Sequence, residues 1–161
     1  MRAGVDLGGT KIDVLIVEGE QDVRGRMRRP TPTEGGAAAV VAAIARTVKK
    51  AADAAAVDVG QLTGVGVGSP GAVDAAAGTV GFNSNLAGGW NEAYPVAEEL
   101  GRVIETRVRV ANDVDVAAAA ELELGAGRDL PSFLAVWWGT GVGGSVVLAG
   151  KQWEEIGRAH V

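Results

Sequence analysis

Two short stretches hold residues whose types and spacing suit chemistry on a phosphate: Gly8-Gly9-Thr10-Lys11 and Gly139-Thr140-Gly141. Each is flanked by β-branched and apolar residues in strand-like order, so each reads as the turn of a β-hairpin. Without a Cβ, glycines let successive backbone N–H groups converge into an anion-binding nest, and the threonine hydroxyl adds a donor. Two such nests facing each other would clamp the phosphates of a nucleotide; either one alone is equally well a plain tight turn. Asp6 ends the strand before the first turn, where a hard carboxylate oxygen suits Mg2+, directly or through water. Asp113 follows a strand and opens an Ala-rich helix, whose N-terminus favours negative charge. A carboxylate so placed can accept the proton of a hydroxyl attacking phosphorus, although by position alone it reads better as an N-cap or first-turn acid.

Other glycine spacings carry less. Gly66-Gly68-Gly71 and Gly139-Gly141-Gly144 both fit Gly-x-Gly-x-x-Gly, but 25 of the 161 residues are glycine and such matches come cheaply. A dinucleotide fingerprint also needs a helix directly afterwards. The second is followed by Ser-Val-Val-Leu, a strand former, and the first by an irregular stretch, so neither qualifies. The P-loop ending Gly-Lys-Ser/Thr is absent.

The elements that must position these residues follow from periodicity. Residues 2–6, 11–18 and 23–29 read as three strands, the last ending at Pro30 and Pro32. Residues 35–56 read as a helix, with Val41, Ile44 and Val48 on one face. A buried strand is expected over 62–68, a long irregular loop over 74–89, a helix over 95–103 and a strand over 107–111. A helix from Asn112-Asp113 to about Gly125 and a hairpin of 133–138 with 145–149 complete the chain. This β-β-β-α-β-α-β-α order followed by strands again is a mixed α/β plan that restarts, which implies two related lobes. We expect a first lobe over 1–127 and the start of a second over 128–154.

Composition narrows the classes. A net charge of −5 argues against an electrostatically driven nucleic-acid binder. The local run Arg24, Arg26, Arg28, Arg29 reads as the solvent face of a strand. The longest uninterrupted apolar run, 37–45, is far short of the roughly 20 residues of a bilayer span. Asp6 interrupts any secretory signal, and the lack of cysteine agrees with a cytoplasmic setting.

In this order the motifs resemble the ROK group of bacterial sugar kinases and sugar-responsive repressors, within the actin-like, ribonuclease-H-like ATPases. Four blocks carry the likeness: Asp6-Leu-Gly-Gly-Thr-Lys-Ile12, Gly66-Val-Gly-Ser-Pro-Gly-Ala-Val-Asp74, Asn112-Asp-Val-Asp-Val-Ala117 and Gly139-Thr-Gly-Val-Gly-Gly144. The resemblance implies an ATP-dependent hexose kinase of glucokinase type. It makes Asp113 the general base and Asn112 a ligand of a neighbouring sugar hydroxyl. It has Gly71, Ser84 and Asn85 line the sugar pocket. The first hairpin (Gly8, Gly9, Thr10, Lys11) and Thr140-Gly141 would then hold ATP phosphates, with Mg2+ near Asp6. It also implies a homodimeric parent.

One departure stands out. The family continues to Gly-Glu-Ile-Gly-His, whose histidine in many members ligates zinc with later cysteines, whereas here Glu-Ile-Gly is followed by Arg158. The family's zinc site is therefore not expected in this chain. Ile-Gly-Arg-Ala-His-Val, 156–161, reads as one frame of a sequencing-library adapter, and 155–161 are expected to be an artefact tail, leaving a kinase fragment expected to be inactive alone. A rival reading is a sugar-sensing ROK regulator without its DNA-binding domain, disfavoured by the start of the chain close to Asp6 and by retention of Asp113. A third is an actin-like acetate or sugar kinase outside the family.

Overall fold

The alternation read from the first 30 residues becomes a three-stranded antiparallel meander. β1 (Arg2–Leu7), β2 (Lys11–Glu18) and β3 (Asp22–Pro30) place Val5, Leu7, Ile12, Val14 and Ile16 on one buried face. The computed structural model describes residues 1–83, 86, 90, 92–138 and 142–153. The nineteen-residue helix α1 (Gly36–Ala54) lays Val40, Val41, Ile44 and Val48 across that face. Its alanines allow close approach: a Cβ on Gly25 of β3 would stand 2.4 Å from the carbonyl oxygen of Ala51 and 3.0 Å from the Cβ of Ala55.

After α1 the chain makes a 3-10 turn, Val59–Gln61, capped by Asp58, whose Oδ1 accepts the Gly60 N–H at 2.9 Å. The expected strand over 62–68 accordingly starts later, as β4 (Val65–Ser69), and runs parallel to β1. α2 (Val96–Ile104) packs Val96, Leu100 and Ile104 inward and returns the chain to β7 (Val108–Asn112), parallel to β4. The sheet order is β3-β2-β1-β4-β7, with helical crossovers between its parallel strands.

The long irregular loop expected over 74–89 is partly ordered instead. β5 (Ala72–Asp74) and β6 (Thr79–Gly81) form a small hairpin. Asp74 Oδ1 accepts the Ala77 N–H at 2.9 Å and Gly78 takes φ +70°, so the turn is closed by an acidic side chain and a left-handed glycine. Isolated bridges Val80 to Tyr94 and Asn83 to Trp90 tie it to the segment before α2.

The residues divide into two compact units, Met1–Asp113 and Val114–Val161. In the second, α3 (Asp113–Leu124), apart from its first residue, accompanies a small sheet of β8 (Phe133–Trp138), β9 (Val142–Leu148) and β10 (Lys151–Gln152), with Gln152 Nε2 donating to the Asp115 carbonyl at 2.6 Å. Gly143 lies directly under Val114, where a Cβ would meet the valine Cγ2 at 2.7 Å. Among the described residues no helix is long and apolar enough to cross a membrane. The expected tail, 155–161, lies outside the described residues.

Candidate active site

Parallel pairing brings three chain reversals to one edge of the first unit. Asp6 is level with Gly68, and Gly68 with Ala111. With strands about 4.8 Å apart, the backbones of Asp6 and Ala111 are separated by roughly 10 Å. The Gly8-Gly9-Thr10 turn after β1, Pro70-Gly71 after β4 and Asn112-Asp113 at the end of β7 therefore all emerge at the carboxyl edge, where open α/β sheets bind ligands.

The first turn is held from two sides. The Gly8 N–H donates to the Lys11 carbonyl at 2.8 Å, and a Cβ on Gly8 would press on that same oxygen at 3.3 Å. Thr31, buried at the end of β3, donates its N–H to the Thr10 carbonyl at 3.1 Å and its Oγ1 hydroxyl to the Gly8 carbonyl at 2.7 Å. The carbonyls of the turn are thus turned inward and occupied, while the N–H groups of Gly9 and Thr10 have no partner among the described residues. That is the arrangement an anion nest requires. Thr31 was not singled out from the sequence; the only signal was its place in Arg-Pro-Thr-Pro.

Lys11 Nζ lies 4.0 Å from Asp6 Oδ2, with both side chains about half exposed or more. Such a pair adds little stability and exchanges readily for a ligand. Among the described residues no group of three or more acidic, His or Cys side chains could cage a metal. Mg2+ is normally held by one or two carboxylates plus substrate phosphates, and the exposed Asp6 carboxylate fits that donor set.

At the other end of the edge, Gly71 adopts φ +95°, and a Cβ there would stand 2.8 Å from Asn83 Nδ2 and 3.0 Å from the Phe82 carbonyl. The buried Asn83 donates from Nδ2 to the Pro70 carbonyl at 2.6 Å, and Asn112 Nδ2 donates to the Gly71 carbonyl at 3.4 Å. Gly71 and Asn112 are therefore brought together, with partly buried Asp113 the next residue along. Asn83 is the member that sequence reasoning passed over in favour of its neighbours. Ser84, Asn85, Thr140 and Gly141 lie outside the described residues.

A second charged feature was also missed. Asp13, on β2 opposite Asp6, is only 8% exposed although it faces away from α1. Arg26 donates to it from Nε at 3.1 Å and from a terminal nitrogen at 2.7 Å, and Arg28 donates to the same carboxylate from Nε at 2.8 Å and from a terminal nitrogen. The Arg26 hydrogen bonds, reinforced by those of Arg28, hold the Asp13 carboxyl down at about 2 against the opposing pull of burial. Two of the arginines read as a solvent face are thus engaged with a buried carboxylate.

The ROK family profile matches residues 2–159, and the chain belongs to the ROK family. It is 34% identical over 147 residues to a glucokinase of Thermotoga maritima, covering 91% of this chain and 44% of that protein. It superposes with TM-score 0.82 on a ROK family glucokinase from Streptomyces griseus in complex with glucose and AMPPNP, at 31% identity, covering 98% of this chain and 46% of that one. A ROK hexokinase from Thermus thermophilus gives TM-score 0.80 at 32% identity, with 96% and 49% covered. The chain spans about half the length of these relatives. The five-stranded mixed sheet is the actin-like first lobe of that family, accompanied by smaller sheets.

Proposed function

We propose that the protein to which this chain corresponds transfers the γ-phosphoryl group of ATP to a hydroxyl of a hexose, in the manner of a glucokinase. The observation that carries this is the shared edge: a turn with unpartnered N–H groups at one end, and Gly71, Asn112 and Asp113 at the other, roughly 10 Å across. That span suits a sugar hydroxyl set against the terminal phosphate of a nucleotide.

In this reading Gly8, Gly9, Thr10 and Lys11 hold phosphate oxygens, with Thr140 and Gly141 contributing from the second hairpin. Asp6 holds Mg2+, which when bound supplies positive charge to the transferring group. Asn112 binds a sugar hydroxyl beside the reacting one, and Gly71 with Ser84 and Asn85 lines the pocket. Asp113 accepts the proton as the hydroxyl oxygen attacks phosphorus. Closure of the two lobes, taken as 1–127 and 128–154 onward, excludes water so that the phosphoryl group reaches sugar. ATP dependence agrees with a cytoplasmic enzyme.

The test is ATP- and Mg2+-dependent formation of glucose 6-phosphate by a chain extended to the full length of its relatives. Asp113→Asn should lower kcat by roughly 100-fold or more; an unimpaired Asp113→Asn variant removes the general base, and a preference for a non-sugar acceptor removes the hexose.

A further inference from the structure

A cavity of about 490 Å3 opens beside the second half of α1, and four cations line it: Arg29, Arg46, Lys49 and Lys50. Arg46, Lys49, Lys50 and Asp53 recur at i, i+3, i+4 and i+7, so they share one exposed stripe of the helix. Arg29 comes from a different element. It is opposite Ile12 in the β2–β3 register, Ile12 is buried under α1, and β3 is an edge strand, so Arg29 stands on the α1 side of the sheet, away from Asp13. The two acids of the groove are already engaged: Asp53 Oδ2 pairs with Lys50 Nζ at 3.4 Å, and Asp58 Oδ1 takes the Gly60 N–H. Arg29, Arg46 and Lys49 have no ion-pair or hydrogen-bond partner among the described residues. The helix dipole does not account for them either, since it acts within the last turn of α1 and no basic residue stands there. A charged run along one helix is ordinarily a solvated face. Here the cations of a helix and of a neighbouring strand instead gather in one concavity, and they focus a positive potential in a chain whose net charge is −5.

We propose that this groove binds the phosphate monoester of a small organic molecule. Its volume falls within the roughly 300–1,000 Å3 of small-molecule pockets. Charge selects the head group: a carboxylate brings one charge and two acceptor oxygens, whereas a dianionic phosphate brings two charges and three oxygens, a better match to three unpartnered cations. Two of the three are arginines, whose planar forks suit phosphate oxygens. The half-buried Val57 and Val59 complete the lining, and they give the organic body an apolar wall that inorganic phosphate would leave uncovered. Because Arg29 belongs to β3 and the other cations to α1, the bound ester ties the edge strand to the helix, which also raises the stability of the chain by mass action.

The proposal does not rest on the kinase reading, because the phosphate turn and the groove have separate backbone amides to report on them. The isotope-labelled 161-residue chain is titrated in separate series with glucose 6-phosphate, AMP and inorganic phosphate, and followed by amide NMR. The amides of Arg29, Arg46, Lys49 and Val59 should shift saturably with at least one of the two esters, with Kd below about 1 mM and at least about 3-fold tighter than with inorganic phosphate. Which ester binds more tightly separates a sugar phosphate from a nucleotide as the source. Arg46→Gln and Lys49→Gln, both at exposed positions that the fold tolerates, should each weaken binding about 5-fold or more, and added salt should weaken it further. Lys151→Gln, at an exposed cation of the other unit, should leave it unchanged. Shifts confined to residues 8–11, or no saturable shift with either ester, overturn the proposal. Equal affinity for inorganic phosphate, or binding indifferent to both glutamines, overturns it as well.

Discussion

The two units each pair a strand with its antiparallel neighbour along the chain, with unequal support. In Met1–Asp113 the β1–β2 hairpin is backed by α1 and joined on either side by β3 and β4, and the buried apolar cluster lies wholly in this unit. In Val114–Val161 the β8–β9 hairpin has only β10 beside it; among the described residues Ala118 and Val147 are the unit's buried apolar side chains. A hairpin that must hold its turn still for a ligand needs cover on its faces and neighbours at its edges, because two paired strands are marginal alone.

The sharpest way to break this comparison is to separate the halves. Residues 1–113 alone should melt cooperatively by circular dichroism, and residues 114–161 alone should show no cooperative transition; a sharp melt of the latter would erase the distinction. Within the whole chain, Ile44→Ala removes a fully buried side chain of α1 and should cost about 3 kcal/mol by urea denaturation. Val136→Ala, at an exposed side chain of β8, should stay within about 0.5 kcal/mol. Gly71→Ala should cost about 1–3 kcal/mol, because φ +95° and the 2.8 Å approach to Asn83 both oppose it, and in a full-length protein the loss should appear in glucose KM as well.

The acid response is expected to be smaller than the Ile44 loss. With the Asp13 carboxyl lowered from 3.8 to about 2, its stabilisation is fully present above the unfolded value and is lost as pH falls through about 2. The guanidinium groups are half exposed, so screening limits the contribution to roughly 1 kcal/mol. Urea midpoints should therefore drop between pH 4 and pH 2, at about those limits, and Asp13→Asn should flatten that drop. An unchanged slope in the variant would assign the acid response to other carboxylates.

Much of the first unit was legible because its signals are local. Alternation around Gly8-Gly9-Thr10 marked β1 and β2, the i, i+3, i+7 set of Val41, Ile44 and Val48 marked α1, and Asp113 was correctly placed at the head of a helix. What escaped depends on distance in space. Thr31 acts on a turn 23 residues earlier in the chain, a relation visible only once β3 has paired with β2. Asp13 interrupts an apolar strand and would read as a residue facing solvent until the register sets Arg28 opposite it and Arg26 beside it. The three-residue strands β5 and β6 are too short for any period to register, and Asn83 is one of several polar residues in a row, distinguished only by its contact with Gly71.

Gly25 gives the small-residue composition a mechanical meaning. With backbone against backbone at this point, the height of α1 above the sheet is set by the absence of a single methyl group. Any side chain there would lift the end of α1 near Ala51 and Ala55, and α1 leads through the Val59–Gln61 turn directly into β4 and so to Gly71. A substitution at a position with no reactive group of its own would thus shift the edge that carries Gly71 while every residue at that edge kept its identity.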